Sequence, residues 1–577
     1  MRTWQCSDGI NPKDKIKYYM QKIILYQIFT RLFGNDNTEC VPNGSIEQNG
    51  CGKLANFTPE ALEAIKKLGT THVWYTGVIE HATQTDYSEQ GIRPDHKSTV
   101  KGKAGSPYAI KDYYDIDPDL ATSVPDRMKE FTQLVKRTHD AGLKMIIDFV
   151  PNHVARCYHS DAKPKNVVDL GEKDDTSLFF SPKNNFYYLP GTTLGGEVDW
   201  QDYIESPARA TGNNRFDAYP SRNDWYETVK LNYGVNYLEG ERTDFYPFPS
   251  TWLKMRDILL FWAKKGVDGF RCDMAEMVPF QFWGWVIPII KEKYPHIIFI
   301  AEVYNTWEYY NYVKHGKFDY LYDKVGLYDT LIGIIRHQQS ATDITRTWQN
   351  LGELRSHMLH FMENHDEQRL ASDFIVGHGR PALPAMLVSA TIDTCPTMVY
   401  FGQELGERGM DAEGFSGCDG RTTIFDYWSV DTLRRWHDGG TFSGKELNDG
   451  ERDLQAYYSR LLHIARDEKA IVEGEFFDLM YVNPHTEHFN PHRQYAFLRK
   501  HENELLLIVA NFDEQDTQVA INLPTHAFEY FGLPTLENIE ATELLTGTTL
   551  SVALNAETPV HLTVPGWSGA IVKFTLP

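Results

Sequence analysis

Cysteine is scarce in this chain: there are 7 in 577 residues, scattered, odd in number and without a C-x-x-C pair. That spacing excludes a disulfide framework and offers no zinc-ligand pattern, so the thiols are expected to be mostly reduced. Long apolar runs are also missing. No stretch reaches the roughly 18 apolar residues needed to cross a bilayer, and no membrane partner is expected. The opening residues, MRTWQCSDGINPKDKIKYYMQ, hold no continuous apolar core of signal-peptide length, which points to the cytoplasm rather than to export. Positive charge is in deficit, with 57 Lys and Arg against 79 Asp and Glu and a net charge of -22. Nucleic-acid affinity rests on clustered cations, so a nucleic-acid partner is excluded as well.

Aromatic residues, by contrast, reach 13%, with 13 Trp and 32 Tyr. Flat rings fill cores and also stack on sugar faces. A chain of 577 residues exceeds one ordinary compact domain and calls for two or three.

From about residue 20 to 405, helix-like amphipathic stretches alternate with short apolar, β-branched runs, which predicts parallel strands. The clearest unit is TWLKMRDILLFWAKKG followed by VDGFRCD. In it Trp252, Met255, Leu259 and Trp262 recur at helical spacing and Gly266 supplies the stop. The helix-like stretches TPEALEAIKKLG, RMKEFTQLVKRTHDAG and FWGWVIPIIKEKYP precede THVWYTGVI, LKMIIDFVPNH and IIFIAEVY in the same way. With KIILYQIFTRLF, FDYLYDK, MLHFMENHD and TMVYFGQE the candidate strands number eight, the pattern of a (β/α)8 or TIM barrel. The interval after the third strand breaks the rhythm and reads as an inserted domain over 154–230. Residues 1–153 and 231–474 are then the two parts of the barrel. After 474 the chain turns to short alternating runs such as QYAFLRK and ELLLIVANF, predicting a C-terminal antiparallel β-sandwich domain over 475–577.

Active sites of such barrels lie at the C-terminal ends of the strands. Here DFVPNH, GFRCD, IAE and MENHD close strands three, four, five and seven with acids. Arg271 and Asp273 are two residues apart and share a strand face, Cys272 points to the helices, and Asn364 and Asp366 are paired by the same count. One acid at a strand end is commonly a helix N-cap. Several on neighbouring ends suit glycosidic chemistry, in which one ionised carboxylate attacks the anomeric carbon and one protonated carboxyl serves the leaving oxygen. Arg271 beside Asp273 favours its anion, and the apolar Phe299, Ile300 and Ala301 before Glu302 favour the acid there. With retention, the two carboxyls are expected to lie roughly 5–5.5 Å apart.

These segments resemble, in order and spacing, the four signatures of the α-amylase family (glycoside hydrolase family 13): DFVPNH the first, GFRCD the second, AEVYN the third and ENHD the fourth. The resemblance implies Asp273 as nucleophile, Glu302 as general acid/base and Asp366 as the third carboxylate, gripping hydroxyls of the distorted sugar. It also implies that Arg271 positions Asp273, that His153 and His365 touch the same sugar, and that Asp148 and Asn152 hold their loop. GSPYAIKDYYDIDP is similar to the family segment that supplies a stacking aromatic, making Tyr108 the platform and Asp112 a loop organiser. YFGQE also resembles the family, with Gly402 and Glu404 architectural.

Two departures bear on substrate and metal. Where many amylases carry a Lys-His pair after the nucleophile, this chain has Glu276 and Met277. The segment ETVKLNYG is similar to the family's short signature in which an aspartate binds calcium together with the asparagine of DFVPNH, and Lys230 stands there. No cofactor is expected to be required; a calcium site using Asn152 is expected to be weakened or absent, with calcium elsewhere left open. The expected substrate is a starch-like α-1,4-glucan or maltodextrin. The alternatives are a glucanotransferase or glucosyl isomerase using the same intermediate, and a non-catalytic glucan-binding relative, which the retained acids disfavour. A sugar-phosphate barrel enzyme lacks the Gly-rich helix entry with a nearby lysine.

Overall fold

A computed structural model describes residues 21–577. Residues 1–20, which hold Cys6 and most of the opening segment read above for export, lie outside the described residues.

Eight parallel strands close into a barrel: β1 (Ile24–Phe29), β2 (His72–Thr76), β3 (Lys144–Phe149), β4 (Gly269–Cys272), β5 (Ile298–Ala301), β6 (Tyr320–Tyr322), β7 (Met358–Phe361) and β8 (Thr397–Tyr400). Each pairs with its neighbours in sequence, and β8 closes on β1. Every one of the eight segments read from the sequence supplies a strand.

The connecting helices form where an apolar face repeats at helical spacing. In Ser250–Lys264 the buried side chains include Trp252, Met255, Leu259 and Trp262. The chain then stops at Gly266, whose φ of 95° is open to glycine at no steric cost. Thr58 caps Pro59–Lys67 by accepting the Ala61 N–H, and proline at the first helical position needs no donor.

Strand alternation sorts the barrel into two cores. Val73, Tyr75, Met145, Ile147, Phe270, Cys272, Phe299 and Ala301 belong to the large core that takes in the helices, so Cys272 is structural as expected. Leu25, Trp74, Ile146, Ile300, Tyr322, Leu359, Phe361 and Met398 form a separate cluster that fills the lumen. The barrel is a packed core, and polar groups collect only where the inward series runs past the strand ends.

Beyond β3 the chain leaves the barrel through His153–Ala155, which pairs antiparallel with Thr228–Lys230, so both ends of the long excursion meet at one neck. The excursion has its own apolar cluster, including Leu189, Trp200 and Tyr226. Within it Glu205 receives Arg156 at 2.8 Å and Arg209 at 2.7 Å. Burial opposes its charge, yet the two guanidiniums hold Glu205 down at about 2.

The C-terminal region folds as an antiparallel sheet of β9 (Glu475–Asp478), β10 (Gln494–His501), β11 (Glu504–Asn511), β13 (Leu536–Glu543), β14 (Thr548–Leu554) and β16 (Ser568–Thr575). Beside it lies the pair β12 (Thr517–Ile521) and β15 (Val560–Val564). The buried Arg499 donates to the carbonyls of Ile392, Ala470, Ile471 and Gly474, tying β10 to the end of a barrel helix. Among the described residues no helix is long and apolar enough to cross a membrane.

Candidate active site

The inward series delivers the reactive groups. Register sets Asp148 of β3 and Ile300 of β5 on either side of Arg271 in β4, and two residues further along lie Asp273 and Glu302. Arg271, fully buried, spans the end of the lumen. Its Nη1 lies 2.9 Å from Asp273 Oδ1 and 3.5 Å from Asp148 Oδ1, its Nη2 lies 2.8 Å from Glu302 Oε2, and its Nε donates to the Tyr322 hydroxyl at 3.0 Å. Trp74 Nε1 donates to the other Asp148 oxygen at 2.9 Å. Burial lifts Asp148 to about 6 against the opposing pull of Arg271.

This arrangement corrects the expected electrostatic sorting. Arg271 serves both carboxylates rather than Asp273 alone, because a guanidinium has two ends and β5 is hydrogen-bonded to β4, with Ile300, two residues before Glu302, in register with Arg271. Glu302 gains two further donors, the Met274 N–H at 2.7 Å and the Tyr304 hydroxyl at 2.6 Å. Asp273 Oδ2 is buried without a hydrogen-bond partner among the described residues. Burial and the neighbouring Glu302 charge push Asp273 well above the usual carboxylate range, with Arg271 opposing. Met274 donates from a left-handed conformation, φ 41°, a backbone strain of the kind that collects at functional sites.

The pair Asn364 and Asp366 needs a second correction. β7 ends at Phe361, so strand alternation no longer governs the segment after it. Asn364 Oδ1 instead accepts the N–H groups of Asp366 and Glu367, an Asx turn that places Asp366 half-exposed at the cleft. His365 is buried, with Nε2 2.5 Å from the Tyr108 hydroxyl and 3.1 Å from Asp366, and Nδ1 2.8 Å from Gln27. Burial and Arg271 keep it neutral. Its ring stacks on Tyr108 with centroids 5.1 Å apart.

A cleft of about 300 Å3 joins Tyr108, His153, Asp273, Glu302 and Asp366. Five of the residues singled out in the sequence thus share one space, with Arg271, His365 and Asp148 directly behind them. Burial, reinforced by Lys230 and Lys101, holds His153 near 3, so it too is neutral. Asn152 and Asp112 stay outside the cleft. Asp112 accepts from the Tyr114 and Ala162 N–H groups and the Ser160 hydroxyl, tying its loop to the start of the excursion. Glu404 is buried and accepts the Tyr26 hydroxyl at 2.6 Å, while Gly402 turns the chain with φ 86°.

Sequence reasoning missed Tyr304, Met274, Trp225, Phe425 and the Lys101–Glu227 pair, all of which line the cleft. Tyr304, two residues after Glu302, could have been found by counting. The others arrive on loops remote in sequence. A larger hollow, about 830 Å3, lies between the barrel loops near Arg380 and Arg408 and the helix carrying Tyr457, and holds none of these acids.

Lys230 occupies the position at which the family resemblance implies a calcium-binding aspartate. Its ammonium donates to Asn152 Oδ1 and, at 3.1 Å, to the Met277 carbonyl. Both partners are neutral oxygens, and burial lowers Lys230 to about 7. Among the described residues no group of three or more His, Cys, Asp or Glu is placed to hold a metal ion.

A barrel with carboxylates converging at its C-terminal strand ends, beside a buried tyrosine, belongs to the class of barrels equipped for carboxylate acid–base or nucleophilic chemistry. The particular family follows from comparison. The family profile "Alpha amylase, catalytic domain" matches residues 27–444. The chain is 23% identical over 511 residues to "Alpha-amylase MalA" of Haloarcula japonica, covering 86% of this chain and 56% of that one. It is also 23% identical over 528 residues to a "Cyclomaltodextrinase" of Bacillus, covering 88% and 75%. In fold it is similar to a maltogenic α-amylase of Thermotoga neapolitana, with a TM-score of 0.61 at 20% identity over 96% of this chain and 99% of that one. A Geobacillus thermoleovorans α-amylase solved with acarbose gives a TM-score of 0.63 at 18% identity over 96% and 98%. The chain belongs to the α-amylase family of glycosidases.

Proposed function

We propose that the protein cleaves α-1,4-glucosidic bonds of starch-like glucans or maltodextrins with retention of configuration. The observation that carries this reading is the single guanidinium of Arg271 holding two strand-end carboxyls, Asp273 and Glu302, in one cleft with Tyr108. Tyr108 stacks beneath the sugar and Asp366 grips its hydroxyls. His153 and His365, both uncharged, add neutral hydrogen bonds, which suits a neutral ligand.

In the first step Asp273 Oδ2 bonds to the anomeric carbon while the bond from that carbon to the leaving oxygen breaks, and Glu302 gives that oxygen its proton. In the second, Glu302 takes a proton from water as the water oxygen bonds to the anomeric carbon and releases Asp273. The first step needs Asp273 ionised and Glu302 protonated; burial and the Glu302 charge raise Asp273 and oppose its ionisation, while Arg271 favours it.

Asp273→Asn should lower turnover of maltoheptaose by on the order of 10⁴-fold while leaving binding in place. NMR of the fresh product should show the α anomer first, and a β product would overturn retention. The same intermediate can be captured by a sugar hydroxyl, and products longer than the substrate from maltotriose would move the reading to a transglycosylase. The chain is also similar to the mouse "Amino acid transporter heavy chain SLC3A1", 27% identical over 256 residues that cover 44% of this chain and 29% of that one. Retention of Asp273, Glu302 and Asp366 in one cleft favours the enzymatic reading. For the metal, we propose that Lys230 stands in place of calcium against Asn152, its charge forming fully below pH 7.

A further inference from the structure

Glu276 follows β4 in the loop beside the cleft, yet its carboxylate is turned to the protein. Oε2 accepts the backbone N–H of Tyr304 at 2.8 Å and of Asn305 at 2.9 Å. It thereby fixes the loop after β5, which runs from Glu302 through Tyr304 to Trp307. That indole is 90% exposed. A tryptophan so open contributes almost nothing to the core, and exposed aromatics at this end of the barrel are placed to meet a ligand.

Trp307 borders a second groove of about 600 Å3. One wall is the π-helical turn Lys324–Tyr328 directly after β6, which presents Val325 and Gly326 and is held by the Leu327 N–H donating to Asp323 Oδ1 at 2.9 Å. Such widened turns concentrate at functional sites. The other wall is the helix Asp343–Leu351, where Asp343, Arg346 and Asn350 fall at helical spacing on one face. Apolar platform and polar wall together match the two faces of a sugar chain. A general acid faces the departing part of its substrate, so the loop leading on from Glu302 lies on the leaving side. Tyr304 and Trp307 are three residues apart, roughly 10 Å of chain at most, so cleft and groove are within reach of one oligosaccharide.

We propose that Trp307 is a stacking platform for a glucose unit several residues beyond the cleavage point on the leaving side, with Glu276 as its positioning residue. The proposal rests on the glucan-cleaving reading above. Leaving-side recognition is thereby carried by the loop after β5 instead of the one after β4, and the enzyme discriminates in favour of longer chains.

The test compares kcat/KM on maltoheptaose and maltotriose. Trp307→Ala should lower the value on maltoheptaose about tenfold and change that on maltotriose less than twofold. Trp307→Phe should restore most of the loss. Glu276→Ala, which also frees the Tyr304 backbone beside Glu302, should show the same length dependence on top of a loss common to both substrates, and Glu276→Gln, which keeps an oxygen for the two N–H groups, should relieve both. For Trp307→Ala, equal loss on both substrates, or no loss on either, would overturn the platform. Wild-type protein that cleaves neither would instead overturn the parent reading. Thermal melting of each variant reports the fold separately.

Discussion

Along the floor of the cleft Asp273 and Glu302 are set by the ends of β4 and β5 and held from behind by Arg271, which Tyr322 and the Trp74-bonded Asp148 brace in turn. Around it, as a rim, the placing is done by single side chains that reach a neighbouring segment's backbone: Glu276 to Tyr304 and Asn305, Lys230 to Met277 and, outside the cleft, Asp112 to Ala162. Floor groups share charge in a dry space, so altering one alters its partners electrostatically. Rim groups each hold one junction, so altering one moves a segment. The chemistry is therefore resistant to loop change, and the reach of the site is sensitive to it.

The comparison can be broken at several points. Tyr304→Phe removes a hydroxyl from Glu302 on the floor and should lower kcat roughly tenfold to a hundredfold with KM little changed. A KM effect alone would place Tyr304 on the rim. The acidic limb of kcat/KM should lie above the ordinary carboxylate range near pH 4, because activity needs ionised Asp273 and burial with Glu302 raises it. A limb at pH 4 or below would show the floor to be wetter than described. At the rim, Lys230→Ala strands the Asn152 and Met277 oxygens and should lower the melting temperature by roughly 2–4 °C. Chelator should leave the wild type unchanged, and a calcium-dependent rise would return a metal to that position.

The smallest effect concerns stability at the floor. A carboxyl raised on folding binds more protons in the native state, so its contribution falls as pH rises from about 4 through the native value. Above that range Asp273 costs stability, and Asp273→Asn should raise the melting temperature at pH 7 by about 1–2 °C. A fall in calorimetry would mean that Arg271 depends on Asp273 more than on Glu302.

The parts legible in the sequence were those governed by repeats. Helical spacing and apolar runs located all eight barrel strands, and a count of two put Arg271 and Asp273 on one face. Counting failed where the repeat ended. Asp366 lies past β7 and is placed by Asn364, and the contact of Arg271 with Glu302 depends on the pairing of β4 with β5, which no repeat within either strand announces. Trp225 and Phe425 come to the cleft on remote loops, and no local pattern announces that. Lys230 was legible by position in a motif, although its bond to Met277 was not.

The neck between His153–Ala155 and Thr228–Lys230 makes the excursion a cassette. Its two ends leave and rejoin the barrel side by side, so whatever lies beyond them can lengthen, shrink or be exchanged without shifting the strand register below. Evolution and engineering alike are thereby offered a port at which substrate range can be rewritten while the reaction is inherited unchanged.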